Sequence, residues 1–189
     1  MENYKLIIST LCALLLAVPV YADTLAGNST SSVDEDYLDV NRVYSDQFTA
    51  IASGTLENGY VQWGSTDASC TSQMGVWDSS NNLMDISNEI TGITDGSYTE
   101  YTFDDGDAIT SGQTYRIGVA NSASKKLRND NVGSSDYDSF TYSSGNMPDP
   151  WGTSGSWSYG ILNAYVTGAV SSPATTPNKR ASQVILIGG

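Results

Sequence analysis

Short apolar stretches alternating with polar residues run through the chain from about Val40 to Val170, each closed off by Gly, Asn, Asp or Ser. Phe48, Ala50 and Ala52 begin the series, followed by Val61 and Trp63, then Met74 and Val76. Tyr101 and Phe103, the trio Tyr115, Ile117 and Val119, then Phe140 and Tyr142, and finally Leu162, Ala164 and Val166 continue it. Side chains two apart share one face of a strand, so this period belongs to strands with one buried face. Many short strands with turn formers at fairly even intervals predict an all-β sandwich or barrel over residues 40–170. After the first two dozen residues, no apolar stripe at 3.6-residue spacing persists for three turns, which excludes a helical bundle.

The breaks in the alternation carry their own geometry. Asp78-Ser79-Ser80-Asn81-Asn82 joins two apolar runs, and Asn tolerates positive φ at a turn tip, so a hairpin is predicted there. Thr94-Asp95-Gly96-Ser97 and Asp105-Gly106-Asp107 interrupt the chain in the same way. Asn121 to Ser156 is different: long, polar and Gly-rich, with Lys125, Lys126 and Arg128, and near its end Met147-Pro148-Asp149-Pro150-Trp151. Loops of that length are usually functional or conceal a strand, and Asp138 to Tyr142 is the predicted strand.

The two ends read differently from the middle. Lys5, the apolar run Leu6 to Val18 and the small-residue ending Val20-Tyr21-Ala22 have the form of a secretory signal peptide over residues 1–22. The expected location is therefore extracellular or at a cell surface, and no later run is long enough for a bilayer-spanning helix. Residues 23–39, rich in Ser, Thr, Gly, Asn and acid, read as a flexible lead-in, and Asn28-Ser29-Thr30 fits the N-glycosylation pattern. Residues 171–182 read as a linker. The uncharged, β-branched segment 183–189 reads as a C-terminal strand that must pair with a sheet edge, in this molecule or in another. Beyond the leader Cys70 is the only thiol, so the fold rests on its apolar core rather than on an internal disulfide.

Charge and composition remove whole classes of function. Eight basic residues against 21 acidic ones give a formal charge of -13, which argues against nucleic acid as a partner. With no histidine in the chain, Ser-His-Asp and Cys-His catalysis and His-ligated metal sites are excluded. Ser122-Ala-Ser-Lys125 spells the S-x-x-K pattern of penicillin-binding proteins but lacks that family's partner motifs, and it reads as chance. Neither the many carboxylates nor Tyr137 near Lys125 and Arg128 single out a catalytic set, so the chain is read as no enzyme, with a small polysaccharide-degrading enzyme a distant third reading.

Three stretches carry a family likeness: Phe48-Thr-Ala-Ile-Ala-Ser-Gly-Thr-Leu, Met74-Gly-Val-Trp-Asp-Ser-Ser-Asn-Asn-Leu, and Asp107-Ala-Ile-Thr-Ser-Gly-Gln-Thr-Tyr-Arg-Ile-Gly-Val. In that order they resemble the jelly-roll β-sandwich domains of secreted bacterial and viral proteins, which include carbohydrate-binding modules attached to glycoside hydrolases. The likeness covers roughly residues 40–170 and implies a single jelly-roll-like antiparallel sandwich. It also implies the possibility of a structural Ca²⁺ in a loop such as the one holding Asp104, Asp105 and Asp107, although a solvated acidic turn is the plainer reading and no cofactor is expected.

Aromatic residues are the first candidates for a binding site. Trp151 and Trp157 lie late in the long segment, close to Asp149, with Tyr142 upstream. An indole face covers sugar C–H groups while carboxylates and amides bond the hydroxyls, so Trp151 and Trp157 are the candidate platforms, Tyr142 a wall and Asp149 a hydroxyl acceptor. The competing reading packs these tryptophans into the core, and Trp63 and Trp77, being within strands, are read as structural. The function that follows is a secreted non-catalytic module for an extracellular glycan. The alternative is a structural subunit of a surface layer or filament, assembling by strand addition through residues 183–189.

Overall fold

Alternation sorts side chains to opposite faces of each strand, and one set is buried between two antiparallel sheets in the computed structural model, which describes residues 23–30, 34–157 and 160–171. The expected leader, nearly all of the expected linker and the expected C-terminal strand lie outside the described residues. Strands are numbered in chain order. The smaller sheet holds β1 (Asp23–Gly27), β4 (Gly54–Gln62), β8 (Tyr98–Thr102), β9 (Ala108–Ile109) and β14 (Ala164–Val170), in the order β1-β14-β4-β8 with β9 beside β4. The larger holds β3 (Arg42–Thr49), β5 (Asp67–Trp77), β6 (Leu83–Ile86), β7 (Ile90–Ile93), β10 (Thr114–Asn121), β12 (Ser135–Ser139) and β13 (Gly155–Trp157). Its order is β13-β12-β3-β10-β5-β6, with β7 also on β5. A two-stranded ribbon of β2 (Asp34–Leu38) and β11 (Lys125–Asn129) completes the antiparallel sandwich, and the described residues contain no helix. No helix among them is therefore long and apolar enough to cross a membrane.

Register shows how the pattern becomes a core. Val119 on the central strand β10 stands opposite Tyr44 of β3 and Met74 of β5, and Ile117 stands opposite Val76. These side chains meet Leu56 and Val61 of β4, Tyr101 of β8 and Ala164 and Val166 of β14, all essentially inaccessible to solvent. Trp63 is fully buried in the same cluster, as its strand position predicts. Cys70 is buried there too, and burial raises its thiol pKa, which fits a small apolar side chain. The predicted hairpin forms: β5 and β6 pair antiparallel, Asn81 at the tip takes φ 67°, and Asp78 Oδ1 accepts the Ser80 and Asn82 amides at 2.8 and 2.9 Å.

Two expectations need correction. Residues 23–39, read as a flexible lead-in, carry β1 and β2. In β1 the buried pair Leu25 and Ala26 is enough to dock an edge strand on β14. In β2, Glu35 stands opposite Arg128 in register and forms an ion pair with Lys126, so the charge that suggested disorder is matched across the ribbon. The strand expected at Asp138 to Tyr142 is shifted upstream to Ser135–Ser139, and the long segment also holds β11, which was not expected. Phe140 and Tyr142 belong to a different layer, described next.

Candidate functional site

Within the segment expected to form the site, residues 140–151 instead cover the outer face of the larger sheet. Gly75 and Gly118 leave a shallow floor there: a Cβ on Gly75 would lie 2.6 Å from the Trp77 ring, and one on Gly118 would lie 3.2 Å from it. Trp77 lies on that floor fully buried, and Trp151 meets it edge-on at 5.1 Å between centroids and 73° between planes. Val43, Ala120 and Met147 are buried with them, and Leu83, Ile86, Phe140 and Tyr142 pack around the rim. The Trp77 indole donates to the Pro148 carbonyl at 2.8 Å, and the Trp151 amide donates to the Asn81 carbonyl at 2.8 Å. Arg116 sits 4.7 Å over the Trp151 ring and donates through Nη1 to Ser45 Oγ at 2.9 Å and Asp136 Oδ2 at 3.1 Å.

This second core corrects the first site assignment. Trp151 is only 4% exposed, and its two rings are spent on Trp77 and Arg116 rather than offered to a ligand. Tyr142 is half-buried and donates its hydroxyl to Glu89 at 2.8 Å. Asp149 is exposed, but its Oδ1 already accepts the Leu83 amide at 3.1 Å, which pins the cover to β6. Trp157 lies in β13 with its backbone opposite Ser135, and its side chain lies outside the described residues.

The other candidate clusters are likewise occupied. Lys125 pairs with Asp67, Lys126 with Glu35, and Arg128 with Asp95 at 2.7 Å, so the cations of the long segment are tied to neighbouring acids. Ser122 Oγ accepts the Thr71 amide at 2.9 Å while Lys125 faces Asp67, so the two ends of the S-x-x-K pattern have separate partners. Tyr137 packs against Tyr44 and beneath Arg42, which stands 4.4 Å from its ring centroid.

Three tyrosines that sequence reasoning passed over share the outer face of the smaller sheet: Tyr60 on β4, Tyr98 on β8 and Tyr165 on β14. Each occupies the outward phase, next to an inward Val61, a strand-mate of inward Tyr101, or between Ala164 and Val166. Tyr60 and Tyr165 are cross-strand partners, stacked at 4.8 Å with planes 17° apart, and Tyr98 meets Tyr165 edge-on at 5.3 Å. All three are half-buried, and burial raises their phenol pKa values, so the hydroxyls stay neutral. The Tyr60 hydroxyl donates to exposed Glu100 at 3.2 Å.

A chain of amides steadies the same end of this sheet. Asn28 Nδ2 donates to Asn163 Oδ1 at 3.2 Å, Asn163 Nδ2 to Gln62 Oε1 at 3.1 Å, and Gln62 Nε2 to the Gly96 carbonyl at 3.0 Å. The described Lys and Arg residues lie on β3, β10 and β11, and none lies on a strand of this smaller sheet. The patch thus joins apolar ring carbon to the Tyr60 and Tyr165 hydroxyls and the Glu100 carboxylate, while the Tyr98 hydroxyl is buried and makes no hydrogen bond, so Tyr98 contributes ring surface. The legible signal was tyrosine at the polar phase of strands, where a ring is not called for by the core between the sheets. A scan against protein-family models finds no match to this chain, and neither does a search of the curated proteins.

Proposed function

We propose that this chain is a secreted, non-catalytic binding module, jelly-roll-like in its sandwich, that recognises an extracellular glycan through the tyrosine face of the smaller sheet. The contiguous Tyr60–Tyr165–Tyr98 patch, with Glu100 at its edge, is the observation that carries this reading. Ring carbon covers sugar C–H surface while hydroxyls and a carboxylate exchange hydrogen bonds with sugar hydroxyls, the division of labour found in mostly apolar sites with a few placed polar groups. The acidic chain and the absence of basic residues on these strands favour a neutral polymer over a sulfated or uronic one.

Retention on insoluble polysaccharides and binding to a glycan array test this directly. The parent protein is expected to bind at least one neutral glycan, and Tyr60→Ala or Tyr165→Ala to weaken binding roughly tenfold, the equivalent of about 1.4 kcal/mol. Trp151→Phe, which keeps an aromatic ring in the cover, is expected to bind like the parent. Absence of binding to any glycan, or full binding by a folded Tyr60→Ala/Tyr165→Ala double variant, overturns the proposal.

A further inference from the structure

The two ends of the sandwich differ in what they expose. Strands β3 and β4 run its length in opposite senses, from Arg42 to Thr49 and back from Gly54 to Gln62. The chain leaves the fold at the Gly54 end, where Val170 stands opposite Gly54 and the Ser171 amide donates to the Ser53 carbonyl at 2.8 Å. The β2–β11 ribbon sits at the other end. There Leu127 bridges to Trp63, Asn129 to Leu162, and the Gly64 amide donates to the Lys126 carbonyl at 2.9 Å. The nine residues of β4, at about 3.3 Å each, put roughly 25 Å or more between the two ends.

Among the described residues β2 pairs with β11 alone, so its other side is a sheet edge open to a further strand. Of the four large apolar side chains exposed among them, Tyr37 (59% exposed) and Val40 (43%) lie on or just past this edge strand. A third, Val132, lies at the same end of the sandwich, its carbonyl accepting the Ile161 amide. The stretch Asp34 to Val40 also holds four acids and no base. A second β2 is therefore a poor partner for this edge, because like charges opposite one another in a ladder repel. A strand with bases ahead of apolar residues matches it.

The sequence contains one such stretch. Lys179 and Arg180 are the only basic residues after Arg128, and Gln183-Val184-Ile185-Leu186-Ile187 follows them, outside the described residues. We propose that this segment adds as a strand to the β2 edge of a second copy, joining molecules head to tail into an open filament. Lys179 and Arg180 meet the acids of β2, and Val184 to Ile187 cover Tyr37 and Val40. Geometry favours a neighbour's edge over the molecule's own. The eight steps from Ser171 to Lys179 reach at most about 28 Å fully extended, and a coil of that length averages roughly 16 Å. Donor exit and acceptor edge lie at opposite ends, so each added copy presents a fresh edge and the row does not close on itself. The tyrosine face takes no part in this contact, so the two proposals stand or fall separately.

Light scattering on the chain from Asp23 onward, between about 1 μM and about 1 mM, tests it, with electron microscopy of the largest species. Mean mass is expected to rise several-fold with concentration, into linear particles. Deleting residues 179–189 is expected to hold the mass at that of a monomer while the β circular dichroism spectrum stays unchanged. Tyr37→Thr/Val40→Thr, which alters exposed side chains, is expected to do the same. Mixed in equal amounts, these two chains are expected to form dimers that grow no further, because one keeps the edge and the other keeps the strand. Lys179→Glu/Arg180→Glu is expected to weaken assembly roughly tenfold. A parent that stays monomeric throughout, a deletion variant that still assembles, or an edge variant that assembles like the parent overturns the proposal.

Discussion

Trp77→Ala is expected to cost about 3–5 kcal/mol of folding stability and to lower Tm by roughly 10 °C, read by denaturant and thermal unfolding. The indole is fully buried outside the main core, lies over Gly75 and Gly118, and holds the Pro148 carbonyl through its ring nitrogen. Its removal leaves a cavity between sheet and cover and an unpaired carbonyl, and the rigid glycine floor cannot rise to fill the space. Gly75→Ala attacks the same contact from below, since its new methyl would collide with a ring that has nowhere to go, and it is expected to cost about 1–3 kcal/mol. A loss below 1 kcal/mol for Trp77→Ala would show that the 140–151 cover does not seal this face in solution. The same arrangement means that a binding defect in Trp151→Ala reports on the fold, and only tyrosine-face variants report on the proposed site.

The second large effect is a gain of stability on mild acidification. Asp46 of β3 is 6% exposed, and its Oδ2 accepts Ser135 Oγ at 2.8 Å and the Leu162 amide at 2.7 Å. Burial raises its carboxyl to about 6, with those two hydrogen bonds opposing the shift. Between pH 4 and pH 6 the folded chain therefore holds a proton that the unfolded chain has released. The contribution is fully present below the unfolded value near 3.8 and is lost as pH rises through about 6, a swing of roughly 2–3 kcal/mol. Burial raises the Asp85 carboxyl to about 6 as well, so it titrates in the same sense. Asp67 and Asp78 are held below the ordinary carboxylate range by their hydrogen bonds to Lys125 and Asn82, so their support is lost only on further acidification, below about pH 4.

Stability is thus expected to rise from pH 7.5 to pH 5 and to fall again below about pH 3.5. Relief of the net charge of -13 adds to the first trend, and high salt screens that part while sparing the buried Asp46. Asp46→Asn, measured in 0.5 M NaCl, is expected to flatten the slope between pH 5 and pH 7. A parent chain that loses stability steadily from pH 7 downwards would contradict the burial of Asp46.

Much of the sandwich was legible because strand period and turn chemistry are local. Val61, Met74, Val76, Ile117, Val119 and Val166 all lie on the inner faces that alternation assigns them, and the Asp78–Asn82 hairpin follows from its own side chains. Leu25 and Ala26 escaped notice because composition averaged them with the acids and serines around them, while an edge strand needs only two anchors. Trp151 was misassigned because proximity in sequence to Asp149 resembles a binding loop, whereas its actual partner, Trp77, is more than seventy residues away. Tyr60 and Tyr165 were missed for the same reason: strands β4 and β14 are distant in sequence, and only their pairing makes one patch of two tyrosines.

From the amino-acid order alone came the all-β class, the inner faces of the strands, the hairpin turn and the exclusion of histidine chemistry. Those follow from interactions spanning a few residues, where backbone sterics and side-chain alternation leave little choice. Tertiary structure alone decided that Phe140, Tyr142, Met147 and Trp151 of the long segment join a second core layer, that three tyrosines share one face, and that Asp46 and Asp85 are buried. Each of these depends on which strands become neighbours, and that choice is made by the packing of the whole chain rather than by any stretch of it.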